Sequence, residues 1–173
     1  MKKNVILIGF MGAGKTSVGY HLAKRLGYQQ IDTDEIIEKK SGMKISDIFE
    51  QKGEEYFRQL ETTTLKELKQ TMNEKVISTG GGLPLREENA SILKEMGFVV
   101  YLSTSERTVM ERLKGDRKRP LLQGEHPEEK IRKLLEYRRP LYEIAAHMRI
   151  DADDKSFDQI VTEINRNYRL LIK

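Results

Sequence analysis

The octapeptide Gly9-Phe10-Met11-Gly12-Ala13-Gly14-Lys15-Thr16 follows directly on the apolar run Val5-Ile6-Leu7-Ile8, and this junction constrains the chain more than any other stretch. A short apolar run stopped by glycine reads as a buried strand, and Lys15 to Leu26 reads as the helix behind it, with Gly27 as its stop. A strand that turns through glycines into a helix commits the region to an α/β arrangement. The spacing G-x-x-x-x-G-K-[ST] is met in full. Glycines let backbone N–H groups curl around phosphate oxygens that side chains would obstruct. The helix adds the positive end of its dipole. Lys15 then reaches the β- and γ-phosphates of a nucleotide, and the Thr16 hydroxyl is placed to ligate Mg²⁺. The bland alternative, a glycine-rich turn with an accidental lysine, does not account for an eight-residue match in this context.

The rest of the chain continues the alternation expected of a mostly parallel sheet. Gln29 to Ile31 is a short strand closing on Asp32, and Asn4 to Ile8 is the first strand. Thr33 to Met72 is rich in helix formers, with turn signals at Ser41-Gly42 and Gly53, and is long enough to hold an inserted subdomain. Val76 to Ser78 is a strand stopped by Gly80-Gly81-Gly82, Arg86 to Met96 a helix, and Phe98 to Leu102 a strand. Ser105 is the candidate cap of a helix running to Leu113, followed by a basic loop from Lys114 to Pro120. A helix from Glu128 to Tyr137 that runs on past Pro140, a strand from His147 to Ile150 and a closing helix from Phe157 to Leu171 complete the pattern. No repeat or linker divides the 173 residues, so one domain is expected.

Composition narrows the function classes. The chain has no cysteine, which excludes disulfides, thiolate metal sites and a cysteine nucleophile. No stretch approaches the roughly 20 apolar residues of a membrane span, and no secretory signal pattern opens the sequence, so a cytoplasmic protein is expected. The net charge of +4 comes without a basic stripe interleaved with aromatics, so nucleic acid is not the expected partner. Arginines gathered around an anionic small molecule explain the charge better.

Among nucleotide-binding proteins, a GTPase switch would carry N-K-x-D and D-x-x-G motifs, and neither occurs here. A motor or transporter ATPase would follow its apolar strand with an acidic pair, whereas this one ends in Thr79-Gly80-Gly81-Gly82. Small-molecule kinases remain. Their catalysis is mostly positioning and charge neutralisation, so the search is for a metal-holding carboxylate, an acceptor pocket and arginines. Asp32-Thr33-Asp34 follows a strand, and residues two apart in an extended segment project the same way. On that geometry Asp32 sits near Mg²⁺ while Asp34 accepts a hydrogen bond from the attacking hydroxyl. The competing reading makes one of them only the N-cap of a helix starting at Glu35.

Taken together, the ordered motifs resemble the shikimate kinase family from Val5 to about Ile150. They are the phosphate loop, Asp32-Thr33-Asp34, Phe57-Arg58-Gln59-Leu60-Glu61, Ser78-Thr79-Gly80-Gly81-Gly82, Arg119-Pro120-Leu121-Leu122 and Arg138-Arg139-Pro140-Leu141-Tyr142. The phosphate loop alone is widely shared; D-x-D, F-R-x-x-E and triple glycine in that order are far more specific.

The resemblance implies a P-loop α/β sandwich with a five-stranded parallel sheet, like the nucleoside monophosphate kinases. It implies an acceptor-binding subdomain over about 33–61 and a lid over about 112–124. ATP would contact Gly12, Ala13, Gly14, Lys15, Thr16 and Ser17, with Arg112 near the adenine. Arg119 would close from the lid onto the phosphates, making Lys15, Asp34 and Arg119 the catalytic set. Thr16 and Asp32 would hold Mg²⁺. Asp34, Arg58, Gly80, Gly81, Gly82 and Arg138 would form the shikimate pocket, with Arg58 and Arg138 on the carboxylate and Glu61 orienting Arg58. Guanidinium suits that role because its fork matches a carboxylate. Arg138 is preferred to Arg139 by its spacing to Pro140, and Arg117, Lys118 and Arg139 are left as surface charges. His21, His126 and His147 are isolated and receive no chemistry. The expected activity is transfer of the ATP γ-phosphoryl group to the 3-hydroxyl of shikimate by a monomer. The competing readings are a kinase for another polyol acid, such as gluconate, and a nucleotide-binding module without turnover. The second would be expected to have lost Lys15, Asp34 or Arg119, and all three are present.

Overall fold

Five strands, β1 (Val5–Ile8), β2 (Gln29–Asp32), β3 (Lys75–Ser78), β4 (Phe98–Ser103) and β5 (Met148–Asp151), pair in parallel in the order β2-β3-β1-β4-β5. They belong to a computed structural model that describes residues 3–114 and 124–172. Among those residues the helices are α1 (Lys15–Leu26), α2 (Thr33–Ser41), α3 (Ile45–Lys52), α4 (Glu54–Thr71), α5 (Glu87–Met96), α6 (Glu106–Leu113), α7 (Pro127–Ala145) and α8 (Phe157–Leu171).

The continuous apolar runs of β1 and β4 are explained by burial on both faces of the sheet. Alternate side chains feed two cores. Ile6, Ile8, Ile77, Val99 and Tyr101 pack toward residues of α4, α5 and α7, whereas Val5, Leu7, Val76, Val100 and Leu102 pack toward α1 and α8. Burying such side chains contributes roughly 1.5–3 kcal/mol each, enough to fix register because a one-residue slip would exchange the two faces. The register pairs Val5 with both Val76 and Phe98, which centres β1 in the sheet. Asn4, expected inside the first strand, lies just before it. Its side chain donates to the Met96 and Met72 carbonyls and accepts from the Lys75 amide, tying together the edge where β1 and β3 start.

The long segment after β2 forms three helices, punctuated at Gly42 and Gly53 as the turn signals indicate. Ile37, Ile48 and Phe57 form their own small core, with the Phe49 and Phe57 rings 4.9 Å apart. Helix α7 continues through Pro140, which forfeits one backbone hydrogen bond without ending the helix. The basic loop expected from Lys114 to Pro120 falls almost wholly outside the described residues.

Candidate active site

A cleft of about 1020 Å³ opens at the carboxyl ends of β1, β2 and β3, where the phosphate loop, the Asp32–Asp34 corner and the triple glycine emerge side by side. Parallel sheets bind ligands at this end because the loops that follow their strands converge there.

The phosphate loop bends as its glycines require. Gly12 and Gly14 take φ of 77° and 92°, in the region open to glycine, and Gly14 is the N-cap of α1. No side chain caps that helix and its first turn carries no acid, so its amides and positive end are left for an anion. Lys15 donates to the Gly9 and Phe10 carbonyls at 2.8 and 2.9 Å, lying across the mouth of the loop. Thr16 and Ser17 line the cleft, held from below by Gln30 donating to the Thr16 carbonyl at 2.8 Å. Ala13 is buried and its amide donates to the Phe10 carbonyl, so it shapes the loop rather than lining the cleft.

The Asp32–Asp34 corner differs from the extended pair that the spacing suggests. Helix α2 begins at Thr33, and the Asp32 side chain caps it by accepting from the Asp34 amide at 2.9 Å. Period-two geometry therefore ends at Asp32, and Asp34 points out from the first helical turn. Both carboxylates still line the cleft. Between them, Thr33 is buried and its hydroxyl accepts from the Gly80 amide at 3.0 Å, joining this corner to the triple glycine.

Two of the three glycines, Gly80 and Gly82, are there for close approach. A Cβ at Gly80 would come within 2.6 Å of Asp34 Oδ1 and 3.1 Å of Glu61 Oε1, and a Cβ at Gly82 would overlap the Arg58 guanidinium. Arg58 donates to Glu61 Oε2 at 2.7 Å and to Glu54 Oε1 at 3.1 Å, and its guanidinium lies 5.4 Å from the Phe57 ring centre. Burial opposes charge on Arg58, but the Glu61 and Glu54 carboxylates outweigh it and hold it cationic. Glu61 is only 1% exposed. Burial lifts its carboxyl to about 7 against the pull of Arg58, with Asp34 adding to the rise. Arg138 is 3% exposed, sits 5.5 Å from the Phe10 ring centre, and its Nε and Glu61 Oε1 are buried without a hydrogen-bond partner. Buried polar atoms ordinarily find a partner in protein, water or ligand.

The residues expected to act together thus meet in one cleft: Gly12, Gly14, Lys15, Thr16, Ser17, Asp32, Asp34, Arg58, the three glycines and Arg138. Arg139 is exposed, the surface charge expected of it. Arg112 lies beyond the rim, donating to the Gly12 carbonyl at 2.8 Å, close to Gly14. Phe157 flanks Gly14 too, 3.8 Å from where its Cβ would be, against 3.7 Å for Arg112 Nη1. Arg119 lies outside the described residues. Sequence reasoning missed the wall from α2 and α3, where Glu38, Lys44 and Phe49 line the cleft. Phe49 looks like any core residue of an amphipathic helix, and only the fold turns it inward. Burial works against charge on Glu38, but the Ile45 amide and Lys44 outweigh it and lower its pKa. His147 accepts from the Val99 amide, a structural contact in keeping with its having no assigned chemistry.

The match to known proteins is nearly end to end. The family model for shikimate kinase matches residues 11–169. The chain belongs to the shikimate kinase family. It is 47% identical over 169 residues to the shikimate kinase of Thermodesulfovibrio yellowstonii, covering 98% of this chain and 96% of that one. It is 49% identical over 164 residues to that of a Sulfurihydrogenibium species, covering 94% and 95%. The solved shikimate kinase from Acinetobacter baumannii, in complex with shikimate, superposes with a TM-score of 0.91 at 42% identity, covering 96% of this chain and 93% of that one. Membership of this family makes the chain an ATP-dependent kinase, and the five-stranded parallel sheet is the fold expected of it.

Proposed function

We propose that the chain transfers the γ-phosphoryl group of ATP to the 3-hydroxyl of shikimate, giving shikimate 3-phosphate and ADP on the route to chorismate and the aromatic amino acids. The observation that carries this reading is the pairing of Arg58 with a nearly fully buried Arg138 across a triple glycine, beside Asp34 and next to the phosphate loop. A buried guanidinium is costly unless anionic groups offset its charge, and a small polyol carboxylate suits both the charge and the close backbone. The A. baumannii relative, solved in complex with shikimate, supports the same acceptor.

In this reading Arg58 and Arg138 bind the acceptor carboxylate, which takes over from exposed Glu54 on the Arg58 fork. An exposed ion pair of that kind contributes little, so the exchange costs little. Asp34 accepts a hydrogen bond from the attacking hydroxyl and aims it at the γ-phosphorus. A loose transition state does not require prior deprotonation, so Asp34 acts first by orienting the hydroxyl, and proton acceptance follows transfer. Lys15 leaves the Gly9 and Phe10 carbonyls for the phosphate oxygens, and Gly12, Gly14, Thr16 and Ser17 cradle them on the turn that Ala13 shapes from within. Arg112 and Phe157, both beside Gly14, flank the adenine ring. Arg119, in the lid over about 112–124, adds positive charge at the transferred group, and the segment 33–61 serves as the acceptor subdomain.

Mg²⁺ fits the donors available. Thr16 and Asp32 offer hard oxygens, and no group of three or more His, Cys, Asp or Glu gathers into a metal site among the described residues. An ion held by one or two protein oxygens, with phosphate and water completing its shell, is the magnesium habit. When bound it neutralises charge on the phosphate oxygens. We further propose a cytoplasmic monomer acting on small molecules without nucleic-acid or membrane partners. Among the described residues no helix is long and apolar enough to cross a membrane. Phosphorus NMR of the product tests the reaction: one new phosphomonoester coupled to the proton on C3 is expected. A phosphate on another hydroxyl, or none, would overturn the assignment.

A further inference from the structure

Tyr142 stands behind the cleft, not in its lining, yet it touches two parts of the site. It lies on α7 one turn after Arg138 and is completely buried. Its hydroxyl donates to the Gly81 carbonyl at 2.6 Å. The Arg138 guanidinium stands near enough for its charge to act on the same oxygen. Spacing of four on one helix face makes that meeting natural. Gly81 is itself a junction. A Cβ there would lie 3.5 Å from Arg138 Nη1, from Gly9 O and from Met11 N alike. The Gly81 peptide is thus a wedge between the phosphate-loop backbone and the acceptor-side arginine, and Tyr142 grips it from behind.

The ring and the hydroxyl do different jobs. The ring packs on Tyr101 of β4 with centroids 5.1 Å apart, which anchors it to the sheet. Packing alone needs no oxygen there: phenylalanine fills nearly the same volume without a polar group to satisfy. Burial pushes the phenol up to about 12, so the hydroxyl remains a donor at any working pH.

We propose that Tyr142 is a positioning residue for phosphoryl transfer, its hydroxyl holding the Gly81 carbonyl and the Arg138 guanidinium in one register between the acceptor and the phosphate loop. The proposal rests on the shikimate assignment above. It makes a junction between the two substrate sites out of one hydroxyl that contacts neither substrate.

The test is Tyr142→Phe, which keeps the ring and removes the grip. With Mg-ATP and shikimate, KM for shikimate is expected to rise about tenfold, equivalent to about 1.4 kcal/mol. A severalfold fall in kcat accompanies it through misplacement, while ATP affinity stays within about twofold of wild type because the phosphate loop keeps backbone hydrogen bonds of its own. Tyr168→Phe is the control. Tyr168 is equally buried, in the core on the other face of the sheet, and its hydroxyl pairs with that of Tyr28 at 3.1 Å. That variant is expected to melt earlier with unchanged KM. If Y142F melts near the assay temperature, the comparison is made in the cold with saturating Mg-ATP holding the fold. A Y142F enzyme with wild-type KM for shikimate overturns the proposal, whatever its melting temperature. A wild-type enzyme that ignores shikimate sinks the acceptor assignment and this proposal together, so the two failures are told apart.

Discussion

Glu61 offers a test in which a single buried carboxyl is read through stability. Its carboxyl rises from the ordinary 4.5 to about 7 because burial disfavours the anion more than Arg58 favours it. Between those values the folded chain holds a proton that the unfolded chain has released. Stability from this group is therefore present at low pH and lost as pH climbs from about 4.5 through about 7. A displacement of that size, at about 1.4 kcal/mol per pH unit, amounts to roughly 3 kcal/mol. Glu61→Gln removes the titration while its amide oxygen still accepts from Arg58 Nη1, the partner now at 2.7 Å from Oε2. Denaturant unfolding of both proteins from about pH 4.5 to about pH 8.5 measures the difference, and other titrating groups cancel in the subtraction. The two should agree near pH 4.5, and the Gln variant should gain on the wild type by up to about 3 kcal/mol above about pH 7. Parallel curves, or a wild type that gains with rising pH, would refute the argument that burial outweighs the arginine.

Two further expectations concern the cleft. Asp34→Ala should lower turnover at least about a hundredfold, the low end for losing a positioned acid–base group, with ATP affinity by calorimetry essentially unchanged; equal loss of both would count against its role on the hydroxyl. Gly82→Ala places a methyl on the Arg58 guanidinium and forces it off Glu61. KM for shikimate should rise about tenfold or more, in keeping with a lost charge-assisted pair, and KM for ATP should not follow; matched rises would show a general collapse of the loop instead.

Much of this molecule is legible in local sequence. The β1–loop–α1 unit follows from an apolar run, a glycine spacing and a lysine, and the observed helix has the expected bounds at Lys15 and Leu26. The preference for Arg138 over Arg139 came from the resemblance, and the structure buries Arg138 and leaves Arg139 exposed. What escaped depends on contacts that no local window contains. Tyr142 meets Gly81 across 61 positions, and Thr33 meets Gly80 across 47. The Asp32–Asp34 corner misled because its spacing suits a strand equally well until the helix is known to start between them. Phe49 and Lys44 carry no local mark of a cleft wall; α3 must first fold over the cleft. Glu61 was expected to orient Arg58, and it does contact it, but its burial and its nearness to Asp34 come only from the packing of α2, α4 and the triple glycine. Arg119 lies outside the described residues, so its reading rests on its motif alone.

The most direct measurement is a coupled ADP-release assay with Mg-ATP, offering shikimate, gluconate, quinate or no acceptor to the same preparation. Rapid ADP release with shikimate, and only background with the other three, is the result expected if Arg58, Arg138 and Asp34 form the acceptor site. Intact ATP binding without shikimate-dependent release, or equal release with gluconate, would contradict that claim and leave the nucleotide site standing alone.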